Sequence, residues 1–245
     1  MQFIKPDWPA PGMVRTLVTT RSGGVSQPPY DSLNLGDHVG DDPAAVARNR
    51  ELLRAFLPAE PKWLKQIHGT AVANADILQD AVEADAAVAF KPGAVCAVLT
   101  ADCLPVLFCD RQGTRVAAAH AGWRGLAAGV LEASVAAMQC DPADIMVWLG
   151  PAIGPQAFEV GEEVREAFVR DLPAAAAAFV PGQPGKWQAD IYVIARLRLA
   201  RAGVSQIYGG GLCTYTDAGR FYSYRRDKAT GRMASLIWLQ DAGAA

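Results

Sequence analysis

Val95-Cys96-Ala97-Val98-Leu99-Thr100-Ala101-Asp102-Cys103-Leu104-Pro105-Val106-Leu107-Phe108-Cys109 is the stretch on which the fold turns. Two short apolar runs, 95–99 and 104–109, flank a polar quartet ending in Asp102-Cys103. A strand with one wet face alternates polar and apolar residues, whereas runs that stay apolar suit strands buried on both faces. Working outward, 14–20, 63–72, 84–90, 115–120, 145–149, 207–212, 221–224 and 233–239 also read as strands. Asp42-Pro43 opens a helix to about residue 56: the aspartate can cap, the proline suits the first turn, and Val46, Leu53 and Phe56 recur at helical spacing. A second helix is predicted over 126–139, where Leu126, Val130, Leu131, Val135 and Met138 make one stripe, and others over 162–170 and 190–202. Strands outnumber helices and both kinds of connection occur, which predicts an α+β (mixed α/β) layered domain. The alanine run 174–178 reads as helix or helix-linker and Pro181-Gly182-Gln183-Pro184-Gly185 as a loop. The segment after that loop is too short for a second domain, so residues 1–245 are expected to form one domain with a surface excursion there.

Composition narrows the function. The 245 residues carry 23 Lys and Arg against 25 Asp and Glu, a net charge of −2, with 51% hydrophobic residues. This is enough apolar material for a sizeable core, and it leaves no basic footprint for nucleic acid, whose binding domains have pI above ~9. The amino terminus shows no basic segment followed by an apolar core, and no uncharged apolar run approaches the ~18 residues of a membrane span. A cytoplasmic protein acting on small molecules is expected, with neither nucleic-acid nor membrane partners. Five cysteines is an odd number in a chain too large to need staples, so reduced thiols are expected, one of them free for chemistry. Only three histidines are present, His38, His68 and His120, which bounds any mechanism built on imidazoles.

Reactive residue types gather where strands end. Gln66-Ile67-His68-Gly69-Thr70, Thr100-Ala101-Asp102-Cys103-Leu104-Pro105 and His120-Ala121-Gly122-Trp123-Arg124-Gly125 each place such a residue at the edge of a loop, and loops leaving a rigid sheet commonly carry function. His68, Cys103 and His120 make a candidate metal site. Two neutral imidazoles and a thiolate suit zinc, and three protein ligands leave a fourth position open, as in catalytic sites. Zinc would lower the pKa of a bound water from ~16 toward ~7. No short CxxC or HExxH signature is present, and the same residues also suit core or loop histidines and a buried thiol. Asp102, before the thiol, is a candidate general acid or base, or else a turn-capping residue. Arg21 beside Gly23-Gly24, Arg124 in its glycine-flanked turn and Arg225 in Arg225-Arg226-Asp227 could form an anion pocket, though each alone also reads as a surface or structural arginine. Cys103 as nucleophile with His120 as its base, giving amide hydrolysis, is a second enzymatic reading. A non-catalytic ligand-binding module is the third.

The motifs Thr20-Arg21-Ser22-Gly23-Gly24-Val25-Ser26, Ser32-Leu33-Asn34-Leu35-Gly36, Gln66-Ile67-His68-Gly69, 100–105, 120–125 and Ser223-Tyr224-Arg225-Arg226-Asp227 occur in one order over nearly the whole chain. In this the sequence resembles the YfiH-like family, also called the laccase-domain or multicopper polyphenol oxidase family and, more recently, purine nucleoside phosphorylase. The resemblance implies a single layered α/β/β/α domain, a zinc centre at His68, Cys103 and His120, and catalytic roles around Asp102, Cys103 and His120. It implies phosphorolysis of adenosine, inosine, guanosine or methylthioadenosine to the base and ribose 1-phosphate, with deamination of adenosine to inosine. Arg21, Asn34, Arg124 and Arg225 are the corresponding candidates for binding substrate or phosphate, and the expected assembly is a monomer or homodimer. Some bacterial relatives are instead linked to cell-wall editing, removing L-serine from a UDP-MurNAc precursor. The oxidase name meets an arithmetic obstacle: a multicopper centre needs several imidazoles per metal, and this chain has three in all. A single copper in a His/Cys/His site is allowed by ligand type, and ranks below zinc. His38 is expected to be a loop residue near the site.

Overall fold

Side chains alternate across a strand, so a strand that is apolar throughout can serve two cores at once. The chain uses this repeatedly. A computed structural model describes residues 1–79 and 81–241. In chain order its elements are β1 (Phe3–Ile4), β2 (Val14–Thr19), α1 (Pro43–Arg54), β3 (Val72–Asn74), β4 (Ala86–Ala89), β5 (Cys96–Thr100), β6 (Leu104–Asp110), β7 (Val116–Ala121), α2 (Trp123–Ala128), α3 (Val130–Ala137), β8 (Ile145–Leu149), β9 (Glu159–Gly161), α4 (Glu162–Val169), β10 (Phe179–Pro181), β11 (Lys186–Ala189), α5 (Ile191–Arg201), β12 (Gln206–Gly209), α6 (Tyr224–Asp227) and β13 (Met233–Leu239). The strands form a six-stranded sheet ordered β12-β8-β6-β7-β4-β3, a four-stranded sheet ordered β1-β2-β13-β5, and a small sheet ordered β10-β11-β9.

On β6, Val106 and Phe108 join Ala117 and Ala119 of β7 and Val147 of β8 in a core shared with Leu131 and Val135 of α3 and Ile194 and Leu199 of α5. The alternate residues Leu107, Cys109, Val116, Ala118 and Met146 pack against Val18, Val98 and Ile237 of the four-stranded sheet. The other face of that sheet, with Leu17, Ala97, Leu99 and Leu236, packs on Leu53 of α1 and on Leu57 just after it. The layers therefore run α/β/β/α, the arrangement expected from the sequence. At α1 the Asp42 side chain accepts from Ala44 N and Pro43 fills the first turn, as the cap reading required.

Four local expectations are corrected. The helix expected over 126–139 is two helices, α2 starting earlier at Trp123 and α3 beginning after Gly129, which has φ +105°. Leu126, Val130 and Leu131 are all fully buried across the break, so the apolar stripe conceals it. The strand expected over 63–72 is confined to Val72–Asn74, preceded by isolated bridges at Lys62 and Lys65 and by a loop in which His68 has φ +61°. The strand expected over 221–224 gives way to α6, because Ser223 is an N-cap whose side chain accepts from Arg226 N. The strand expected over 207–212 ends at Gly209, the first of three glycines with positive φ. The alanine run forms a short tight helix, Pro173–Ala178, and residues 181–185 turn β10 into β11. Among the described residues no helix is long and apolar enough to cross a membrane.

At Gly129 an added Cβ would meet nothing closer than 3.7 Å, so the position demands glycine for its backbone conformation alone. Gly129→Ala should therefore lower the unfolding free energy by about 1–2 kcal/mol, the cost of the left-handed region for an L-residue. Urea denaturation measures this, and an unchanged midpoint would show that the break between α2 and α3 is not held by glycine.

Candidate metal centre

The antiparallel pairing of β6 with β7 sets Pro105 opposite His120 and Leu104 opposite Ala121, so Cys103, just before β6, lies at the sheet end that carries His120. The loop before β3 brings His68 to the same end. One ligand atom from each of His68, Cys103 and His120 lies within 4.8 Å of the others. Cys103 Sγ is 3.8 Å from His68 Nε2, and the two imidazoles stand edge to face with centroids 4.7 Å apart. Tetrahedral zinc, with its usual bond lengths, separates a sulfur and a nitrogen ligand by about 3.6 Å. The donor set and its spacing fit one such ion.

A residue the sequence reading missed holds this arrangement. Asp85, fully buried just before β4, accepts His120 Nδ1–H at 2.8 Å and His68 N–H at 2.9 Å through Oδ1. Its Oδ2 accepts Gly69 N–H at 2.6 Å and Ile67 N–H at 3.2 Å. With Nδ1–H assigned to Asp85 by this partner, His120 keeps its Nε2 lone pair for a metal. Burial raises the Asp85 carboxyl, but the bonds from His120 and from the Gly69 and His68 amides outweigh it and hold it below the usual carboxylate range. The sequence signal was an acid at the head of an otherwise Ala/Val strand. Gly122 explains a second motif residue: a Cβ there would stand 2.5 Å from His68 Cδ2 and 3.1 Å from Cys103 Sγ, so only glycine lets the start of α2 approach the ligands.

Electrostatics prepares the thiol. Burial raises Cys103, yet the charge of His120 and hydrogen bonds from both histidines overcome it and bring the thiol down to about 6. Burial lowers His120, but the Cys103 thiolate and the Asp85 carboxylate raise it to about 9. Without a metal the site is thus a thiolate–imidazolium pair.

Two cavities meet at this centre, sharing Ala101, Cys103 and Tyr224. One, about 410 Å³, is lined with polar groups including His38, Gln66, Thr100 and Arg232 as well as all three ligands. The other, about 240 Å³, has the apolar walls Trp123, Ile153, Phe158 and Ile191 with Asp102, Arg124 and Arg225 at its edges. His38 lines the first with its side chain more than half exposed; partial desolvation and the charge of Arg232 lower its pKa. Asp102, at φ +89°, accepts Thr214 Oγ1–H through one oxygen and Arg225 N–H through the other, both at 2.6 Å. Arg225 donates from Nη1 to Glu159 O at 2.9 Å and lies over the Phe158 ring. Arg124 stacks on Trp123, with no hydrogen bond or ion pair among the described residues.

Arg21 and Asn34, expected to bind substrate or phosphate, line neither of these two cavities. All three guanidinium nitrogens of Arg21 are committed, Nε and Nη2 to Asp31 and Nη1 to Ala218 O, beside a separate cavity lined by Ser22 and Asp31. Asn34 is fully buried; its Oδ1 accepts from Gly36 N and Arg232 N, and its Nδ2 donates to Gly36 O and Asp41 Oδ2. Its amide has no donor left for a ligand.

Comparison with known proteins shows the family and the fold. A family model described as multi-copper polyphenol oxidoreductase laccase matches residues 15–240. The chain is 60% identical to a purine nucleoside phosphorylase of Pseudomonas aeruginosa over 98% of its own length and 99% of the relative's. It is 59% identical to the purine nucleoside phosphorylase YfiH of Escherichia coli, over 97% and 99% of the two chains. A crystal structure of a Neisseria meningitidis protein matches with TM-score 0.95 at 57% identity, covering 98% of this chain and 99% of that one. The hypothetical protein YfiH of Bacillus licheniformis matches with TM-score 0.87 at 31% identity, over 93% of each chain.

Two outcomes are expected at the centre. Alkylation of Cys103 by iodoacetamide in metal-stripped protein should follow a thiolate titrating near pH 6, rather than the ~8.5 of a free cysteine; a midpoint at the free value would show that the histidines do not stabilise the thiolate. Asp85→Asn should weaken metal binding by about 10- to 100-fold through loss of His120 orientation, as measured by competition with a chelating dye.

Proposed function

We propose that this chain, which belongs to the multi-copper polyphenol oxidoreductase laccase family, is a zinc-dependent purine nucleoside phosphorylase that also deaminates adenosine. The observation that carries the reading is the His68/Cys103/His120 centre at the mouth of an aromatic-walled cavity, supported by relatives of 50–60% identity that bear the phosphorylase name. The donor set would suit a single ion. With three histidines in the chain, one of them exposed outside the ligand set, the residues do not fit a multicopper cluster.

In phosphorolysis a phosphate oxygen forms a bond to C1′ of the ribose, the C1′–N9 bond breaks, and its electron pair leaves with the base, which takes up a proton. Trp123 and Phe158 offer flat walls to the base, and with Ile153 and Ile191 they exclude water around it. Asp102 borders the same cavity with one hydrogen bond on each oxygen; every oxygen keeps a second lone pair, so the group can carry that proton while Thr214 and Arg225 fix its position. Arg124 and Arg225 set positive charge at the rim. Zinc held by His68, Cys103 and His120 would supply Lewis acidity at the junction of the two cavities. Deamination in the same cavity exchanges the 6-amino group of adenine for the oxygen of a water and releases ammonia. The enzyme is read as a cytoplasmic monomer or homodimer, one catalytic domain over 1–245, with no nucleic-acid or membrane partner.

The thiolate–imidazolium pair favours a second reading, amide hydrolysis of a cell-wall precursor such as UDP-MurNAc-L-Ser with Cys103 as nucleophile. One experiment separates them. Zinc-loaded protein given adenosine and phosphate should release adenine and ribose 1-phosphate, and inosine when phosphate is omitted, with His120→Ala reducing both by at least about 100-fold. Release of serine from the precursor by metal-free protein, without turnover of adenosine, would replace the phosphorylase reading by the hydrolase one.

A further inference from the structure

Arg232 immediately precedes β13 and is half-buried, yet among the described residues no carboxylate lies within ion-pair distance of it. Buried or half-buried guanidinium groups are ordinarily paired, because a lone charge away from water is costly. The side chain is also held in place. Its Nη1 donates to Thr230 O and Gly231 O, both at 3.0 Å, and its backbone N–H donates to Asn34 Oδ1. The aliphatic stem packs so closely on Gly36 that a Cβ there would stand 2.7 Å from Arg232 Cγ. Against this anchoring, Nε and Nη2 make no hydrogen bond among the described residues, while the residue lines the polar cavity beside His38, Thr100 and the three ligands. Nε and Nη2 form the edge of a guanidinium that matches two oxygens of a phosphate or carboxylate.

We propose that the Nε/Nη2 edge of Arg232 is an oxyanion fork that binds inorganic phosphate in the polar cavity. The inference rests on the phosphorylase reading and names the subsite that reading needs. The expected candidate Arg21 has its corresponding edge filled by Asp31. Arg124 and Arg225 belong to the apolar cavity, whose aromatic walls suit a base. Because the two cavities share Cys103 and Tyr224, a ribose at the junction has phosphate on one side of C1′ and the base on the other. That is the layout a displacement at C1′ requires: the new C1′–O bond forms from the Arg232 side while the C1′–N9 pair departs toward Trp123 and Phe158.

The test is calorimetric titration of inorganic phosphate into zinc-loaded protein, alongside steady-state kinetics with adenosine. Arg232→Gln should weaken phosphate binding, and raise the KM for phosphate, by at least about 10-fold, the value of a lost charge-assisted pair. The KM for nucleoside and the zinc content should stay near those of the parent. Arg232→Lys, which keeps the charge without the fork, should fall between the two, and carries the test if the glutamine variant fails to fold. Arg48→Gln, on the exposed face of α1, should leave phosphate affinity unchanged. Phosphate affinity equal to the parent's in a folded, zinc-loaded Arg232 variant would overturn the proposal, as would a parent protein that binds no phosphate. Failure of adenosine turnover with phosphate binding still dependent on Arg232 would instead reject the phosphorylase reading and keep the subsite.

Discussion

A single buried carboxylate organises the molecule's reactive end. Asp85 takes four donors: three successive backbone amides of the loop at 67–69, and the Nδ1–H of His120. Neither side of this arrangement is stable alone. An unpaired carboxylate with no exposed surface would neutralise itself or destabilise the sheet, and the loop amides would lose the acceptor that lets the chain turn at His68. The position is fixed by the sheet itself, since His120 N–H also donates to Asp85 O at 2.7 Å as β7 runs antiparallel to β4. One set of interactions thus sets strand pairing, the course of the loop and the tautomer of a ligand, so that the site is organised before any metal arrives.

The same interaction explains what the sequence could and could not disclose. Strands at 95–99, 104–109, 145–149 and 233–239 were legible because a run that stays apolar has little alternative to burial on two faces. Which core each residue serves was not legible, since Leu107 and Phe108 are equally apolar yet point into different layers. The residues around His68 read as a strand because Ile67 and Val72 are strand-like, whereas their conformation is imposed by a carboxylate 17 residues away from His68 in the chain. A continuous apolar stripe hid the break at Gly129 for a similar reason: burial is preserved across it. The His68, Cys103 and His120 cluster was found by residue type and position. Asn34 and Arg21 shared that signal without sharing the site, because a motif also marks the residues that staple its own loops.

Five cysteines of one type show how far surroundings decide chemistry. Cys96 and Cys109 lie in the core between the two sheets, and burial drives both thiols upward, Cys109 to about 12. Cys103 is desolvated too, yet its thiol moves the other way because His120, held charged by the Cys103 thiolate and by Asp85, stands beside it. The thiol and the imidazole favour each other's charge, and the carboxylate supports the imidazole from its far side. This chain of effects supplies one soft ligand and two imidazoles, a set for one ion, and it sets the capacity of the site against the plural metals in the family's description.

The two cavities beside His68, Cys103 and His120 differ in the side chains that line them. On one side Trp123, Ile153, Phe158 and Ile191 make a surface that gains by shedding water onto a flat ring. On the other, Arg232, which forms no ion pair at salt-bridge distance among the described residues, stands beside His38 and Thr100. Cys103 and Tyr224 stand where the two meet. On the proposed reading, a substrate with a flat apolar ring at one end and an anion at the other would span the two walls beside His68, Cys103 and His120.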